Sequence, residues 1–367
     1  MQNYKLLTPG PLTTSKTVRQ MMLEDRCTWD NDYKQLTQQI RQHLLKIAGV
    51  DEADYTSILL QGSGSYVVEA VLHTALTQDS QLLVISNGAY GERLLKMSDR
   101  MGASAITYQV PYNETPTVVE LEDILRENPT ITHVAMIHCE TTTGILNPLE
   151  PIAKLVKQYN KTLIVDAMSS FGGVPIEVET LGIDYLISSA NKCIQGVPGF
   201  GFVIVKREVL EATEGNAMSL SLDLYDQWKT MEVDGKWRFT SPTHVVAAFL
   251  QALKEHQEEG GVERRFERYQ SNNQYVREQL EQLGFKAYVN ELDQSPIITT
   301  FLHPNDNFSF EDFYQYMKDR GFVLYPGKLT EEDAFRIGNI GHVFKEDFVE
   351  LCAHIKQYME RENNDKN

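Results

Sequence analysis

From residue 56 to residue 205 the chain keeps one rhythm: a short apolar run, a turn rich in glycine or polar residues, a helical run, then the next apolar run. The apolar runs fall at 56–60, 82–86, 105–110, 132–138, 162–167, 185–190 and 201–205. Runs this short, bounded by turn residues, read as strands. The runs between them at 66–76, 92–101, 118–126 and 148–159 carry apolar residues at helical spacing, as in Val67, Ala70, Val71 and Ala75. An earlier run, 33–48, places Leu36, Ile40, Leu44 and Ile47 on one helical face. Strands alternating with helices predict an α/β fold, a mostly parallel seven-stranded sheet with helices on both faces.

In such a sheet a ligand lies beyond the carboxyl ends of the strands. The first strand runs into Gln61-Gly62-Ser63-Gly64-Ser65, a turn opening a helix, whose free N–H groups suit a phosphate. It lacks the third glycine of a dinucleotide fingerprint, and it is not a P-loop. Other strand ends carry Asn87-Gly88-Ala89-Tyr90, Cys139-Glu140-Thr141-Thr142-Thr143-Gly144, Asp166, and Asn191-Lys192. A lysine closing an apolar strand is poorly hydrated, which lowers its pKa and frees the amine to form a Schiff base.

Those parts match what pyridoxal phosphate requires: a lysine, a carboxylate for the pyridinium nitrogen, a phosphate cup and a flat group over the ring. Lys192 and Asp166 would be the first two. Ser63, Gly64 and Ser65 would form the cup, Tyr90 would stack, and Thr141 or Thr142 would reach the phenolic oxygen or phosphate. Each has a plainer reading alone: a solvent-facing strand end, a helix cap, an ordinary turn, a half-buried aromatic, a strand terminator. Their meeting at one end of one sheet favours the cofactor.

Charge narrows the partners. With 34 basic against 51 acidic residues the net charge is −17, which argues against nucleic acid or an anionic membrane. An anionic substrate needs a local cationic pocket. Cys27, Cys139, Cys193 and Cys352 are widely spaced, so no metal site is expected. With no signal peptide and no long apolar span, a reduced, soluble, cytoplasmic protein is expected. After about residue 210 the texture changes. The stretches 219–228 and 235–242 read as aromatic-rich loops, 242–256 and 264–283 as helices. Strands are expected near 297–302, 321–325 and 334–338, and a frayed polar tail over 360–367.

The order of these motifs resembles the fold-type I, class V aminotransferases, which include alanine–glyoxylate and serine–pyruvate aminotransferases, and Lys192 follows Asp166 at that family's interval. The resemblance implies a large pyridoxal 5′-phosphate domain over 16–245 and a smaller C-terminal α+β domain over 246–367, with the segment 1–15 packing on the latter. It implies Lys192 as the Schiff-base lysine, Asp166 as the pyridinium partner and Tyr90 as the stacking ring, where relatives often have tryptophan. Asn191 takes a place that is glutamine or histidine in relatives. Thr240 matches a residue that crosses to the cofactor phosphate of a neighbouring subunit, hence a homodimer with a shared site. Arg336 matches the arginine that holds the substrate's acid group. Within the family, the strings 7–12, 27–30, 138–144, 188–201 and 220–228 resemble the branch that moves the amino group of 2-aminoethylphosphonate to pyruvate. That branch gives phosphonoacetaldehyde and alanine. The rivals are an alanine- or serine–glyoxylate enzyme of the same family and a non-catalytic protein that keeps the fold. A cysteine desulfurase would need a cysteine on a mobile loop, whereas Cys193 adjoins Lys192 and Cys139 ends a strand.

Overall fold

In the computed structural model, which describes residues 4–329 and 332–364, the alternating runs join into one seven-stranded sheet. Across the sheet the strands are Tyr55–Gln61, Phe200–Lys206, Tyr185–Ser189, Thr162–Asp166, His133–Ile137, Gln81–Ser86 and Ser104–Gln109. Five neighbouring strands pair in parallel. Phe200–Lys206 runs against both of its neighbours, so Tyr55–Gln61 points the same way as the other five. The expected fold class holds.

The strands read as nearly continuous apolar runs because both faces are covered. Leu83, Ile85, Val134, Met136, Leu163 and Val165 enter one core, while Leu82, Val84, Ala135, Ile137 and Ile164 enter the other. That alternation is the period of two expected of a strand. Each of the Leu, Ile, Val and Met side chains among these, once buried, stabilises the fold by roughly 1.5–3 kcal/mol. Asn31–Ala48, Val118–Glu127, Leu149–Gln158 and Thr243–Glu259 cover the first core; Gly64–Ala75, Ala89–Arg100 and Leu224–Asp234 cover the second.

Leu224–Asp234 corrects the reading of 219–228 as a loop. Asp223 caps it by accepting the Asp226 N–H, Gly235 ends it in the left-handed conformation, and Leu224, Tyr225 and Trp228 are buried beneath it. Aromatic bulk obscured a short amphipathic helix. Of the polar tail expected over 360–367, the residues up to Asn364 belong to the helix Lys345–Asn364, and 365–367 lie outside the described residues.

The rest of the chain forms a second, antiparallel sheet in the order Lys286–Ala287, Ile298–Leu302, Ala334–Gly338, Tyr325–Pro326. Gly261–Gln282, Phe310–Asp319 and Lys345–Asn364 pack on it around Phe285, Phe301, Phe313, Phe335 and Phe348. The strand expected at 321–325 divides in two. Tyr325–Pro326 joins this sheet, while Phe322–Val323 pairs in parallel with Lys5–Leu6 at the start of the chain. The N-terminal segment then continues past Gly338, whose N–H bonds Leu7 O at 3.0 Å, toward the carboxyl ends of the large sheet. Among the described residues no helix is long and apolar enough to cross a membrane, and no three His, Cys, Asp or Glu side chains are placed to hold a metal.

Candidate active site

The carboxyl ends of the parallel strands enclose a cavity. Its wall contains Ser63, Gly64, Ser65, Tyr90, Thr141, Asp166, Asn191 and Lys192, eight of the eleven residues singled out in the sequence; Thr142 is not on it. Thr240 is exposed and stands outside the cavity of its own chain. Arg336 is buried behind the wall rather than on it.

Lys192 follows the fully buried strand Tyr185–Ser189, and its amine is drawn into the protein with it. Burial pushes the Lys192 pKa down, against the raising effects of Tyr90, Cys193 and Asp166. Its Nζ donates to Pro9 O at 2.5 Å, so the N-terminal segment lies over the amine. Gly10 permits this approach: its φ is +118°, and a Cβ there would stand 3.1 Å from Lys192 Nζ and from Asn191 O.

Asp166 ends the neighbouring strand, 7% exposed. Its Oδ1 accepts the Met168 N–H at 2.8 Å, yet no cation within salt-bridge distance meets it among the described residues. Burial therefore dominates and pushes its carboxyl up to about 6. A buried carboxylate without a paired cation is costly. A protonated ring nitrogen set against its free oxygen would remove that cost, so the residues fit pyridoxal phosphate at this point.

Ser63 N-caps the helix Gly64–Ala75 in an extended conformation, and its side chain caps nothing. The Tyr66 and Val67 N–H groups bond Ser63 O, leaving those of Gly64 and Ser65 ahead of the first intrahelical bonds. Such an end attracts an anion. Arg93 completes the cup: it lines the cavity, its Nη1 donates to Ser65 Oγ at 3.1 Å, and its guanidinium lies 4.7 Å from the Tyr90 ring centre. The sequence reading missed Arg93, although it stands three residues after Tyr90 and therefore on the same helical face.

Glu140 was missed as well. It is fully buried, and burial raises its pKa. Its Oε2 accepts the Tyr90 and Gly91 N–H groups at 3.1 and 3.3 Å, and its Oε1 accepts that of Thr142 at 3.0 Å. The Ala89 N–H bonds Thr142 Oγ1 at 3.1 Å. One carboxylate thus clamps the start of Ala89–Arg100 to the 140–144 turn and fixes Tyr90 beside Thr141. Gly88 makes room for it, since a Cβ there would lie 2.4 Å from Glu140 Cδ. Only the buried turn context marks this acid, and the sequence alone carries no sign of that context.

Arg336, in the strand Ala334–Gly338, is 1% exposed. Its Nη1 donates to Thr141 O at 2.7 Å and its Nε to Pro326 O at 3.0 Å, while Nη2 has no partner. An unpaired buried guanidinium N–H is a donor held ready for an acceptor.

A family model described as aminotransferase class-V matches residues 26–344. The chain is 60% identical over 365 residues to a 2-aminoethylphosphonate–pyruvate transaminase of Lysinibacillus sphaericus, covering 100% of both chains. It is 54% identical over 354 residues to one of Bacillus cereus, covering 96% of this chain and 97% of the other. Among solved structures, the alanine–glyoxylate aminotransferase of a Nostoc species superposes with a TM-score of 0.91 at 25% identity, over 97% of this chain and 95% of that one. The pyridoxamine–pyruvate aminotransferase of Mesorhizobium loti gives 0.90 at 22% identity, over 98% and 93%, and supports the fold.

Proposed function

The chain belongs to the class V aminotransferase family, and from that premise we propose that it uses pyridoxal 5′-phosphate to transfer the amino group of 2-aminoethylphosphonate to pyruvate, giving phosphonoacetaldehyde and alanine. The observation that carries the reading is one cavity holding a buried amine at Lys192 and a buried carboxylate at Asp166 with no salt bridge joining them. Nearly full-length relatives named for this reaction supply the substrate.

When bound, the cofactor supplies an electron sink that acidifies the C–H of the amino-bearing carbon. Ser63, Gly64 and Ser65 would hold its phosphate, with Arg93 neutralising charge. Asp166 would accept the ring N–H, Tyr90 would lie against the ring, and Thr141 and Asn191 would border it. The lowered pKa of Lys192 keeps a larger fraction of Nζ neutral than an exposed lysine would have, which makes its lone pair more available. Nζ acts as the base that takes a proton from C2, the amino-bearing carbon of 2-aminoethylphosphonate. In the second half-reaction it returns a proton to C2 of the nascent alanine. Arg336 presents its free Nη2 to the acid group of either substrate, so one residue serves both halves.

A homodimer fits the exposed Thr240, which would reach the phosphate cup of a second copy. Phe239 (41% exposed), Tyr66 (56%) and Trp29 (68%) are large apolar side chains left for such an interface. Four free cysteines agree with a reducing, cytoplasmic setting. With a division at residues 15 and 245, the site would lie at the carboxyl ends of the large sheet and Arg336 would come from the smaller part, although the helix Thr243–Glu259 crosses that boundary and packs on the large core.

The test is alanine formation from pyruvate with 2-aminoethylphosphonate as donor, run beside alanine and serine with glyoxylate. Robust turnover with the phosphonate is expected, and Lys192→Ala should lower kcat by about 10³-fold or more. Preference for serine or alanine with glyoxylate would overturn the assignment of substrate.

A further inference from the structure

A phosphonate differs from a carboxylate in two physical respects. Like a phosphate monoester it carries up to two negative charges near neutral pH, and it presents three oxygens instead of two. A single guanidinium fork neutralises one charge and engages two oxygens. Arg336 can therefore satisfy pyruvate or alanine by itself but leaves one charge and one oxygen of a phosphonate unmet.

A second cation stands beside the same place. The register of the small sheet pairs Tyr325 with Arg336, and the Arg336 guanidinium lies 4.9 Å from the Tyr325 ring centre. The Gly327 N–H bonds Ala334 O at 2.9 Å, which holds the strand end against Ala334–Gly338 and leads the chain directly into Lys328. Lys328 Nζ reaches back to the cavity wall, 4.9 Å from the centre of the Tyr90 ring. Tyr90 is thus the shared neighbour of Lys192, Lys328 and Arg336, whose charges all couple to its hydroxyl. Lys328 is exposed, and among the described residues no carboxylate pairs with it. Its ammonium is a mobile point charge, suited to a single remaining oxygen rather than to a bidentate grip. In a chain of net charge −17, a cation at this position also offsets a field that repels dianions.

We propose that Lys328 is a second cationic contact for the substrate's phosphonate, so that Arg336 and Lys328 together favour a doubly charged amino donor over a carboxylate one. This rests on the assignment of 2-aminoethylphosphonate as donor.

The cofactor-loaded wild type, Lys328→Ala and Lys328→Arg are compared for kcat and KM with 2-aminoethylphosphonate and with pyruvate, and for inhibition by ethylphosphonate and by propionate. Lys328→Ala is expected to raise the KM for 2-aminoethylphosphonate and the inhibition constant of ethylphosphonate about tenfold, with pyruvate and propionate changed less than about twofold. Lys328→Arg should recover most of the loss. The wild-type advantage should shrink below about pH 6, where a phosphonate loses its second charge. Equal losses for phosphonate and carboxylate, or no loss for either, overturn the proposal while leaving the transaminase assignment intact. A wild type that does not use 2-aminoethylphosphonate overturns that assignment instead.

Discussion

Asp166 is the residue whose energetics depend most on what fills the cavity. Unfolded, its carboxyl titrates near 3.9; folded without cofactor, burial raises it to about 6. The folded state then holds its proton more tightly than the unfolded state. The contribution of this group is complete below about pH 4 and is lost as pH rises through 6, to a total of about 3 kcal/mol. Cofactor-free Asp166→Asn should accordingly be more stable than cofactor-free wild type at pH 8 and should lose that advantage by pH 4. Urea unfolding of the two proteins across that range measures it. Adding pyridoxal phosphate should stabilise the wild type more than the mutant, reversing their order. Lys192 and Asp166 were legible in the sequence because each closes an apolar run, and a charged group at that point is exceptional. Glu140, Arg93 and Lys328 were not, since each acquires its meaning from a neighbour on another element, which spacing along the chain does not encode.

At the scale of elements, the site is a set of strand ends held in register by a few polar clamps. Glu140 is the chief clamp, joining the start of Ala89–Arg100 to the 140–144 turn through three backbone N–H groups. Glu140→Ala would leave these donors unsatisfied at about 1–3 kcal/mol each, partly offset by no longer burying a carboxyl group. A net loss of about 2–4 kcal/mol is expected, with Glu140→Gln losing about half as much because one acceptor oxygen remains. Denaturant midpoints test the stability. The affinity of the cofactor-free protein for pyridoxal phosphate tests whether Tyr90 has moved, and it should weaken more in Glu140→Ala. The elements most visible in the sequence were those of the large sheet, where both faces are buried and apolar runs are unbroken. Leu224–Asp234 escaped notice because its aromatic residues pack on one side only, and a window of mixed Asp, Tyr and Trp carries little helical signature.

Across the whole molecule, histidines drawn into the interior set the acid limit, His138 and His256 the most buried of those lowered to about 4. His138 and His256 lie in the interior, and burial lowers each to about 4, against about 6.5 in an unfolded chain. Between those values the unfolded chain binds the extra protons. Their contribution is therefore complete above pH 6.5 and is lost as pH falls toward 4, up to about 3 kcal/mol for each. The denaturation midpoint of the cofactor-loaded protein should be flat from pH 7 to 8 and decline steadily from 6.5 to 4, and His138→Asn should flatten the decline. The molecule also has an unusual order of completion. Lys5 and Leu6 find their partners at Phe322 and Val323, and the cover over Lys192 is laid by the residues that follow them. During translation, Lys5 and Leu6 must therefore wait for Phe322 and Val323 to emerge from the ribosome, and the roof over the reactive amine is secured only after both faces of the large sheet have been made.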